Sequence, residues 1–261
     1  SKGHALAVLE AKKPTEKNTL ITAEAKTKKY AEKLNVPFVF LADSNEIYFW
    51  EFKKFPYPKK IKTFYSQADL ERKYSSYLVK KDIEDIEIDK KIIDRYYQIE
   101  CVEEISKKIK KGNEKFLIEM ATGAGKTRVA ISLSKRLFES NQISKVLFIC
   151  DRNSLAIQAE KNFNKHIKDQ TTYILNKKGF KDEKSITIAT LQTLIRQYSS
   201  ISSGYYDLIF IDECHRSIYG HYRKTLDFFD AIKIGLTATP CEYKNPDGKN
   251  EDNEDLRFIR D

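Results

Sequence analysis

The sequence lacks paired cysteines, long apolar runs and internal repeats, and each absence narrows what the chain can be. Its four cysteines, at positions 101, 150, 214 and 241, lie far apart and form no C-x-x-C pair. This spacing argues against a zinc site and a disulfide framework, so we expect ordinary thiols in a reducing cytoplasm. No apolar stretch approaches the ~20 residues that span a bilayer and no signal peptide opens the chain, so we expect no membrane partner.

Acidic side chains are scarce in the first third of the chain. Residues 1–80 carry 16 basic and 9 acidic side chains, a net charge of +7 out of +9 for the whole sequence. Such an excess suits attraction to a phosphate backbone and would depend on salt concentration, although a lysine-rich surface without a partner gives the same count. The length of 261 residues and the hydrophobic content of 41% leave room for about two domains with real cores.

Glycines are few, and two of them stand in one short segment between a predicted strand and a predicted helix. Residues 121–127 read Ala-Thr-Gly-Ala-Gly-Lys-Thr, between an apolar run at 116–119 and a run with helical spacing at 126–138. Backbone N–H groups and a helix N-terminus at such a turn bind phosphate. In this interpretation Lys126 reaches the β- and γ-phosphates, the Thr127 hydroxyl binds Mg²⁺, and Thr122, Gly123, Ala124 and Gly125 form the loop.

Two adjacent carboxylates, Asp212 and Glu213, follow another predicted buried strand at 208–211. A carboxylate at a strand end beside a phosphate loop can hold Mg²⁺, and its neighbour can act as base for an attacking water. We assign Asp212 to the metal and Glu213 to the base. A third predicted strand, at 233–236, leads into Thr237 and Thr239, which we expect to hydrogen-bond His215 and to couple nucleotide state to bound nucleic acid.

These segments resemble superfamily 2 helicases and translocases of the DEAH kind, with Cys214 in the third place of the acidic motif and Met120 where the strict phosphate-loop pattern has glycine. The resemblance implies a RecA-like domain that uses ATP and Mg²⁺. It also implies that Arg95 and Gln98, in the run Arg-Tyr-Tyr-Gln, recognise adenine. Residues 151–152 and 190–193 fall near the family's nucleic-acid motifs, and a plain N-cap or turn explains them nearly as well.

The N-terminal segment suggests a second chemistry. Glu10 and Lys12 follow an apolar run and project from the same strand face, because side chains alternate along a strand. Such a pair could bind Mg²⁺ through Glu10 and position a water for phosphodiester hydrolysis, or it could be an ordinary charged edge pair. A helix-compatible stretch at 22–34 and two further predicted strands, at 38–41 and 47–52, follow it.

This combination resembles the R subunit of type I restriction endonucleases, in which a PD-(D/E)xK nuclease precedes a DEAH motor. The resemblance implies translocation of double-stranded DNA, cleavage of that DNA, and methyltransferase and specificity subunits as partners. Two departures stand out. The first nine residues contain no acid where the family has a metal-binding Asp, and Lys26 replaces the Gln expected four residues before Tyr30. From the missing acid we expect the chain to begin inside the nuclease domain, and Lys26 leaves the supporting role of the helix open.

The predicted architecture is α/β: a truncated restriction-nuclease-like domain (1–54), a connector (55–94) and one RecA-like domain with a largely parallel sheet (95–261). Because such motors need a second RecA-like domain, we expect weak nucleotide binding and little turnover from this chain. Two alternatives remain open. One is a DNA-repair or remodelling helicase with an inactive N-terminal module, and the other is an assembly scaffold regulated by nucleotide.

Overall fold

The structure is a computed structural model, and it describes residues 5–12, 19–176, 179–181, 183–214 and 221–238. Its residue contacts divide the chain into two compact units. The first unit runs to Val79 and includes residues 202–205 and 228–230, and the second holds the remainder from Lys80 onward. Within the described ranges, no helix is both long enough and apolar enough to cross a membrane.

The first unit is a four-stranded sheet with one helix on each face. Its sheet order is β1-β2-β3-β4, in which β1 runs parallel to β2 and the other pairs are antiparallel. The elements are β1 (Ala7–Ala11), α1 (Thr19–Lys33), β2 (Phe38–Ala42), β3 (Ile47–Glu51), β4 (Lys59–Ile61) and α2 (Gln67–Val79).

Side-chain alternation along the strands separates two small cores in this unit. Val39 and Leu41 of β2 pack with Ala23 and Ala31 of α1, whereas Phe38 and its neighbours on the opposite face form a cluster that includes side chains of α2. Among the described side chains of α1, the buried ones are the small residues Ala23, Thr27 and Ala31, and longer ones such as Lys26 and Tyr30 are exposed.

The predicted connector, 55–94, is divided between the two units at Val79. Its first part supplies β4 and α2 to the first unit. The sequence analysis predicted neither element, because the apolar runs in this part of the chain are short. Its last part belongs to the second unit, where Ile83, Ile92 and Ile93 lie in the core. The buried Arg136 holds this part in place, since its Nε donates to the Ile83 carbonyl at 3.0 Å.

The second unit is built on a six-stranded sheet in which all paired strands are parallel, in the order β5-β10-β9-β6-β8-β7. This confirms the predicted α/β class and the largely parallel sheet. The elements are α3 (Tyr96–Lys110), β5 (Lys115–Glu119), α4 (Lys126–Glu139), β6 (Val146–Cys150), α5 (Asn153–His166), β7 (Thr172–Ile174), β8 (Ile186–Thr190), α6 (Leu191–Ile195), β9 (Leu208–Asp212), α7 (His221–Phe228) and β10 (Ile232–Thr237).

Central strands of this sheet are buried along their whole length. Every residue of β6 and of β8 is buried, as expected for a parallel sheet covered on both faces. The core of the unit joins these strands to α3, α4 and α5, with Phe148 and Phe210 among its largest side chains. Because β5, β10 and β9 are neighbours, the three segments that follow them begin at the same edge of the sheet.

Candidate functional site

Strand register brings the predicted nucleotide motifs together. Glu119, the last residue of β5, pairs with Thr237 of β10, and Leu236 of β10 pairs with Asp212 of β9. In parallel strands these C-terminal ends lie side by side, and this edge is where open α/β sheets bind ligands. The phosphate loop, the acidic pair and Thr237 therefore share one location, although more than 80 residues of sequence separate Lys126 from Asp212.

The loop between β5 and α4 has the backbone geometry that its glycines predicted. Gly123 has φ of 79° and Gly125 has φ of 96°, both in the left-handed region that side chains disfavour. Gly125 is the N-cap of α4, so Lys126 is the first residue of the helix. A Cβ added at Gly123 would meet no atom within 4 Å, which leaves open space beside the loop for a ligand.

Lys126 lies between the loop and the acidic pair. Its side chain is only 10% exposed, and its Nζ lies 3.8 Å from Glu213 Oε1. The same Nζ donates to the Met120 carbonyl at 3.3 Å. The ammonium is thus held at the mouth of the loop by a carbonyl and a carboxylate, where a phosphate oxygen would compete for its protons.

Asp212 and Glu213 differ in their surroundings. Burial raises the pKa of Asp212 above the ordinary value for Asp, and the neighbouring charge of Glu213 adds to the rise while Lys126 opposes it. Glu213 has φ of 53°, a left-handed conformation that costs a residue with a side chain about 1–2 kcal/mol. The two adjacent carboxylates therefore have different surroundings: that of Asp212 is partly buried, and that of Glu213 lies near Lys126.

Gln98 contacts the phosphate loop directly. Its side chain is buried, and its Nε2 donates to the carbonyl of Ala124 at 2.7 Å. A Cβ at Gly125 would lie 2.4 Å from that same Nε2. The Gln98 Oε1 atom is buried and accepts no hydrogen bond within the described part of the chain. Arg95 is exposed and donates from Nη1 to Tyr97 Oη at 2.8 Å, so Tyr97 connects it to the loop.

Tyr97 is a loop contact that the sequence did not reveal. Its hydroxyl donates to the Ala124 carbonyl at 3.2 Å, whereas the adjacent Tyr96 is 81% exposed. The sequence signal was the run Arg-Tyr-Tyr-Gln itself, but both tyrosines stand in the first turn of α3. The sequence alone does not determine which of the two faces the loop.

The side chain of Cys214 occupies the space beside Gly235 in the neighbouring strand. The thiol is buried, and a Cβ at Gly235 of β10 would lie 2.9 Å from Cys214 Sγ. The residue in the third place of the acidic motif therefore packs directly on the backbone of β10. Cys150 ends β6 nearby, and burial, helped by the charge of Asp212, raises the pKa of its thiol to about 12.

The structure describes the positions of some of the remaining predicted motor residues and not of others. Thr122 is exposed in the loop, and Thr237 is buried at the end of β10, with its carbonyl accepting from Met120 N at 3.0 Å. His215 and Thr239, the other two coupling residues, lie outside the described residues, so their predicted role stays a prediction. Thr190 is the N-cap of α6 and accepts from Thr193 N.

In the first unit, Glu10 and Lys12 form an ion pair with 2.8 Å between Glu10 Oε1 and Lys12 Nζ. Val8 packs in the cluster under α1, and alternation along β1 places Glu10 on that same face. Within the described ranges, no group of three or more His, Cys, Asp or Glu side chains could hold a metal ion. A magnesium ion at Glu10 would therefore depend on substrate phosphates and water for its other ligands.

Comparison with known proteins gives the chain its relatives. The sequence model of the family described as "Type III restriction enzyme, res subunit" matches residues 91–242. The EcoKI endonuclease subunit of a type I restriction enzyme from Escherichia coli K12 is 36% identical over 177 residues, which cover 56% of this chain and 15% of that protein. The EcoAI endonuclease subunit from Escherichia coli is 29% identical over 270 residues, covering 92% of this chain and 32% of that protein.

Solved structures agree on the fold. A fragment of a putative HsdR subunit of a type I restriction enzyme from Vibrio vulnificus has a TM-score of 0.50 at 24% identity, covering 93% of this chain and 44% of that one. The SWI2/SNF2 ATPase core of Sulfolobus solfataricus, solved with double-stranded DNA, has a TM-score of 0.52 at 21% identity, covering 63% of this chain and 35% of that one.

The chain spans about a third or less of the length of these two curated relatives. Its match to the family model nevertheless extends over more than half of its own residues and includes the phosphate loop, the acidic pair and Gln98. The chain therefore belongs to the restriction-enzyme res subunit family, with endonuclease subunits of type I restriction enzymes among its relatives.

Proposed function

We propose that the second unit binds ATP with Mg²⁺ and belongs to a motor that moves double-stranded DNA. The observation that carries this proposal is the position of Lys126, which lies between a glycine loop and the Asp212–Glu213 pair. A glycine loop, a buried lysine or an acidic pair also occurs singly in proteins that bind no nucleotide. Together, at the C-terminal edge of neighbouring parallel strands, they form a set suited to a triphosphate and its metal ion.

The residues fit a magnesium nucleotide. The open space at Gly123 and the N-terminus of α4 suit the phosphates, and the Thr127 hydroxyl and Asp212 carboxylate supply the oxygen ligands that Mg²⁺ prefers. The buried Gln98 Oε1, which lacks a partner within the described ranges, suits a hydrogen-bond donor such as the amino group of adenine. When bound, Mg²⁺-ATP would supply a phosphoryl group activated for transfer to water.

Each residue then has a defined role in hydrolysis. Lys126 would leave the Met120 carbonyl and donate to phosphate oxygens, neutralising part of their charge. Asp212 would stay ionised beside the metal ion. Glu213 would accept a proton from water as that water attacks the γ-phosphate, and its left-handed backbone conformation would direct its carboxylate to this task. Thr237, with His215 and Thr239, would couple the site to bound DNA.

We also propose that the first unit cleaves DNA, in company with methyltransferase and specificity subunits. Glu10 would bind a Mg²⁺ ion shared with a phosphate of the substrate, and Lys12, 2.8 Å away, would orient or polarise the attacking water. Support comes from the ion pair on the helix-covered face of β1 and from the relatives, which are endonuclease subunits.

The nucleotide proposal is tested by isothermal titration of the chain with Mg²⁺-ATP. Lys126→Ala should weaken binding by about 10- to 100-fold, since hydrogen bonds to charged groups contribute about 1.5–3 kcal/mol. Lys135→Ala is the matched control on the same helix: that lysine pairs with Asp89 at 2.6 Å, and its replacement should leave ATP affinity unchanged. Equal affinity in wild type and Lys126→Ala would refute the nucleotide site.

A helicase without a nuclease is the second candidate. The putative ATP-dependent helicase IRC3 of Saccharomyces cerevisiae is 31% identical over 159 residues, covering 56% of this chain and 23% of that protein. Magnesium-dependent nicking of plasmid DNA that Glu10→Gln and Lys12→Ala abolish would support the nuclease. Nicking that both variants retain would favour the helicase, with the activity coming from elsewhere.

A further inference from the structure

The carbonyl oxygen of Ala124 accepts two side-chain hydrogen bonds, and both donors come from the first turn of α3. Gln98 Nε2 lies 2.7 Å from this oxygen and Tyr97 Oη lies 3.2 Å from it. The Tyr97 hydroxyl in turn accepts from Arg95 Nη1 at 2.8 Å, so its one proton is free to point toward Ala124. Three residues of a predicted base-recognition segment thus act on one backbone atom of the phosphate loop.

The peptide plane transmits this contact to the other side of the loop. The described chain contains no cis peptide bond, so the Ala124 carbonyl and the Gly125 N–H point in opposite directions. Holding the carbonyl toward α3 therefore turns the Gly125 N–H away from α3. Gly125 has φ of 96°, a conformation open to glycine, and without side-chain constraint its peptide would rotate easily.

We propose that Tyr97 is a positioning residue of the phosphate loop: it fixes the Ala124–Gly125 peptide so that the Gly125 N–H faces the phosphates, and Arg95 acts through it. This inference rests on the proposed nucleotide site and adds a residue to it. Gln98 has two tasks in this arrangement, because its Nε2 holds the loop while its Oε1 is available to the base. Tyr97 has one task, directed at the phosphates alone.

The variant Tyr97→Phe tests the contact with the loop separately from recognition of the base, since it removes the hydroxyl and keeps the ring. Isothermal titration should show affinity for inorganic tripolyphosphate and for Mg²⁺-ATP falling by a similar factor, about 3- to 10-fold for one neutral hydrogen bond. The ratio of ATP to GTP affinity should stay at the wild-type value. Tyr96→Phe is the matched control, because Tyr96 is adjacent, 81% exposed and packed edge-on against the Tyr97 ring. It should change none of these values.

The relay through Arg95 gives a second test. Arg95→Ala should weaken tripolyphosphate binding in the wild-type background and have no further effect in the Tyr97→Phe background, because its influence passes through the hydroxyl. Circular dichroism at the titration temperature checks that each variant is folded, so that weaker affinity reflects the loop and not unfolding.

Two results would overturn the role of Tyr97. One is unchanged tripolyphosphate affinity in Tyr97→Phe, and the other is a decrease confined to ATP with an altered ratio to GTP, which would make Tyr97 a base contact. The variant Lys126→Ala distinguishes a failure of the positioning role from a failure of the nucleotide proposal. If that variant loses tripolyphosphate binding while Tyr97→Phe does not, the nucleotide site stands and only the positioning role fails. A wild-type chain that binds neither ligand would overturn both.

Discussion

Asp212 ends its strand directly beside Leu236 of the neighbouring strand, and its carboxylate is partly buried next to the charge of Glu213. The pKa of Asp212 is therefore raised, since burial and a like charge both disfavour the ionised form. In the proposed nucleotide site Asp212 is the Mg²⁺ ligand, so the raised pKa of this carboxylate links the proposal to pH and to the stability of the fold.

The first prediction concerns binding. The proposed Mg²⁺-binding role of Asp212 requires an ionised carboxylate, so affinity for Mg²⁺-ATP should decline on acidification through its raised pKa, at a higher pH than an ordinary aspartate would give. Titration of the chain at a series of pH values measures this midpoint. Asp212→Asn should bind weakly at every pH, and Asp169→Asn, an exposed site in the same unit, should keep the wild-type profile.

The second prediction concerns stability, and its sign follows from the same shift. A carboxyl whose folded pKa is raised favours folding below its unfolded pKa and loses that contribution as pH rises through the folded pKa. At pH 7, Asp212→Asn should therefore increase the free energy of unfolding, by roughly 1 kcal/mol per unit of pKa shift. Urea denaturation should show this gain shrinking toward pH 4. A gain that is the same at both pH values would contradict the explanation.

The two loop glycines should differ in a predictable way. Gly123→Ala meets open space and adds only backbone strain, about 1–2 kcal/mol for a left-handed residue. Gly125→Ala has the same strain and also brings Cβ to 2.4 Å from Gln98 Nε2, so the amide must move and lose its hydrogen bond to Ala124, at a further cost of about 1 kcal/mol. Thermal denaturation without ligand compares them. Gln98→Ala should relieve part of the cost of Gly125→Ala and none of the cost of Gly123→Ala.

The packing of Cys214 against Gly235 predicts a coupled pair. Gly235→Ala places a methyl group 2.9 Å from Cys214 Sγ and 3.3 Å from Leu117 Cδ1, and this overpacking should cost about 1–3 kcal/mol. Combining it with Cys214→Ala should recover much of that stability, because the new methyl replaces the removed sulfur. A double-mutant cycle by urea denaturation measures the coupling, and purely additive effects would show that the contact is unimportant.

The exposed side of α1 predicts the salt dependence of DNA binding. Lys26, Lys29 and Lys33 are exposed there, opposite the buried Ala23, Thr27 and Ala31. Replacing all three lysines by Glu should weaken binding of a DNA duplex and lower the slope of log affinity against log salt by about 0.9 for each phosphate that the variant no longer neutralises. Fluorescence anisotropy provides both values. The same change at Lys107, Lys108 and Lys111, at the end of α3, alters net charge equally and should leave the slope near that of wild type.

Local features of the fold could be read from the sequence because their causes are local. Residues 121–127 predicted the turn before α4, since glycine alone enters the left-handed region without strain and a helix follows. The run at 208–211 predicted a buried strand, and these four residues are buried in β9, which ends one residue later at Asp212. By contrast, β4 and α2 lay within the predicted connector, because three residues of strand and a helix with modest apolar content give little periodic signal.

The sequence by itself determined the α/β class and the parallel sheet, and it supplied the residue types of the candidate site. Only the tertiary structure decided that Tyr97 and not Tyr96 reaches Ala124, that Gly235 leaves space for Cys214, and that Asp212 is partly buried. The physical reason is the distance along the sequence over which each effect acts. Backbone preference and periodicity act over a few residues, whereas burial, steric contact and a shifted pKa depend on atoms that strand order and register bring from distant parts of the chain.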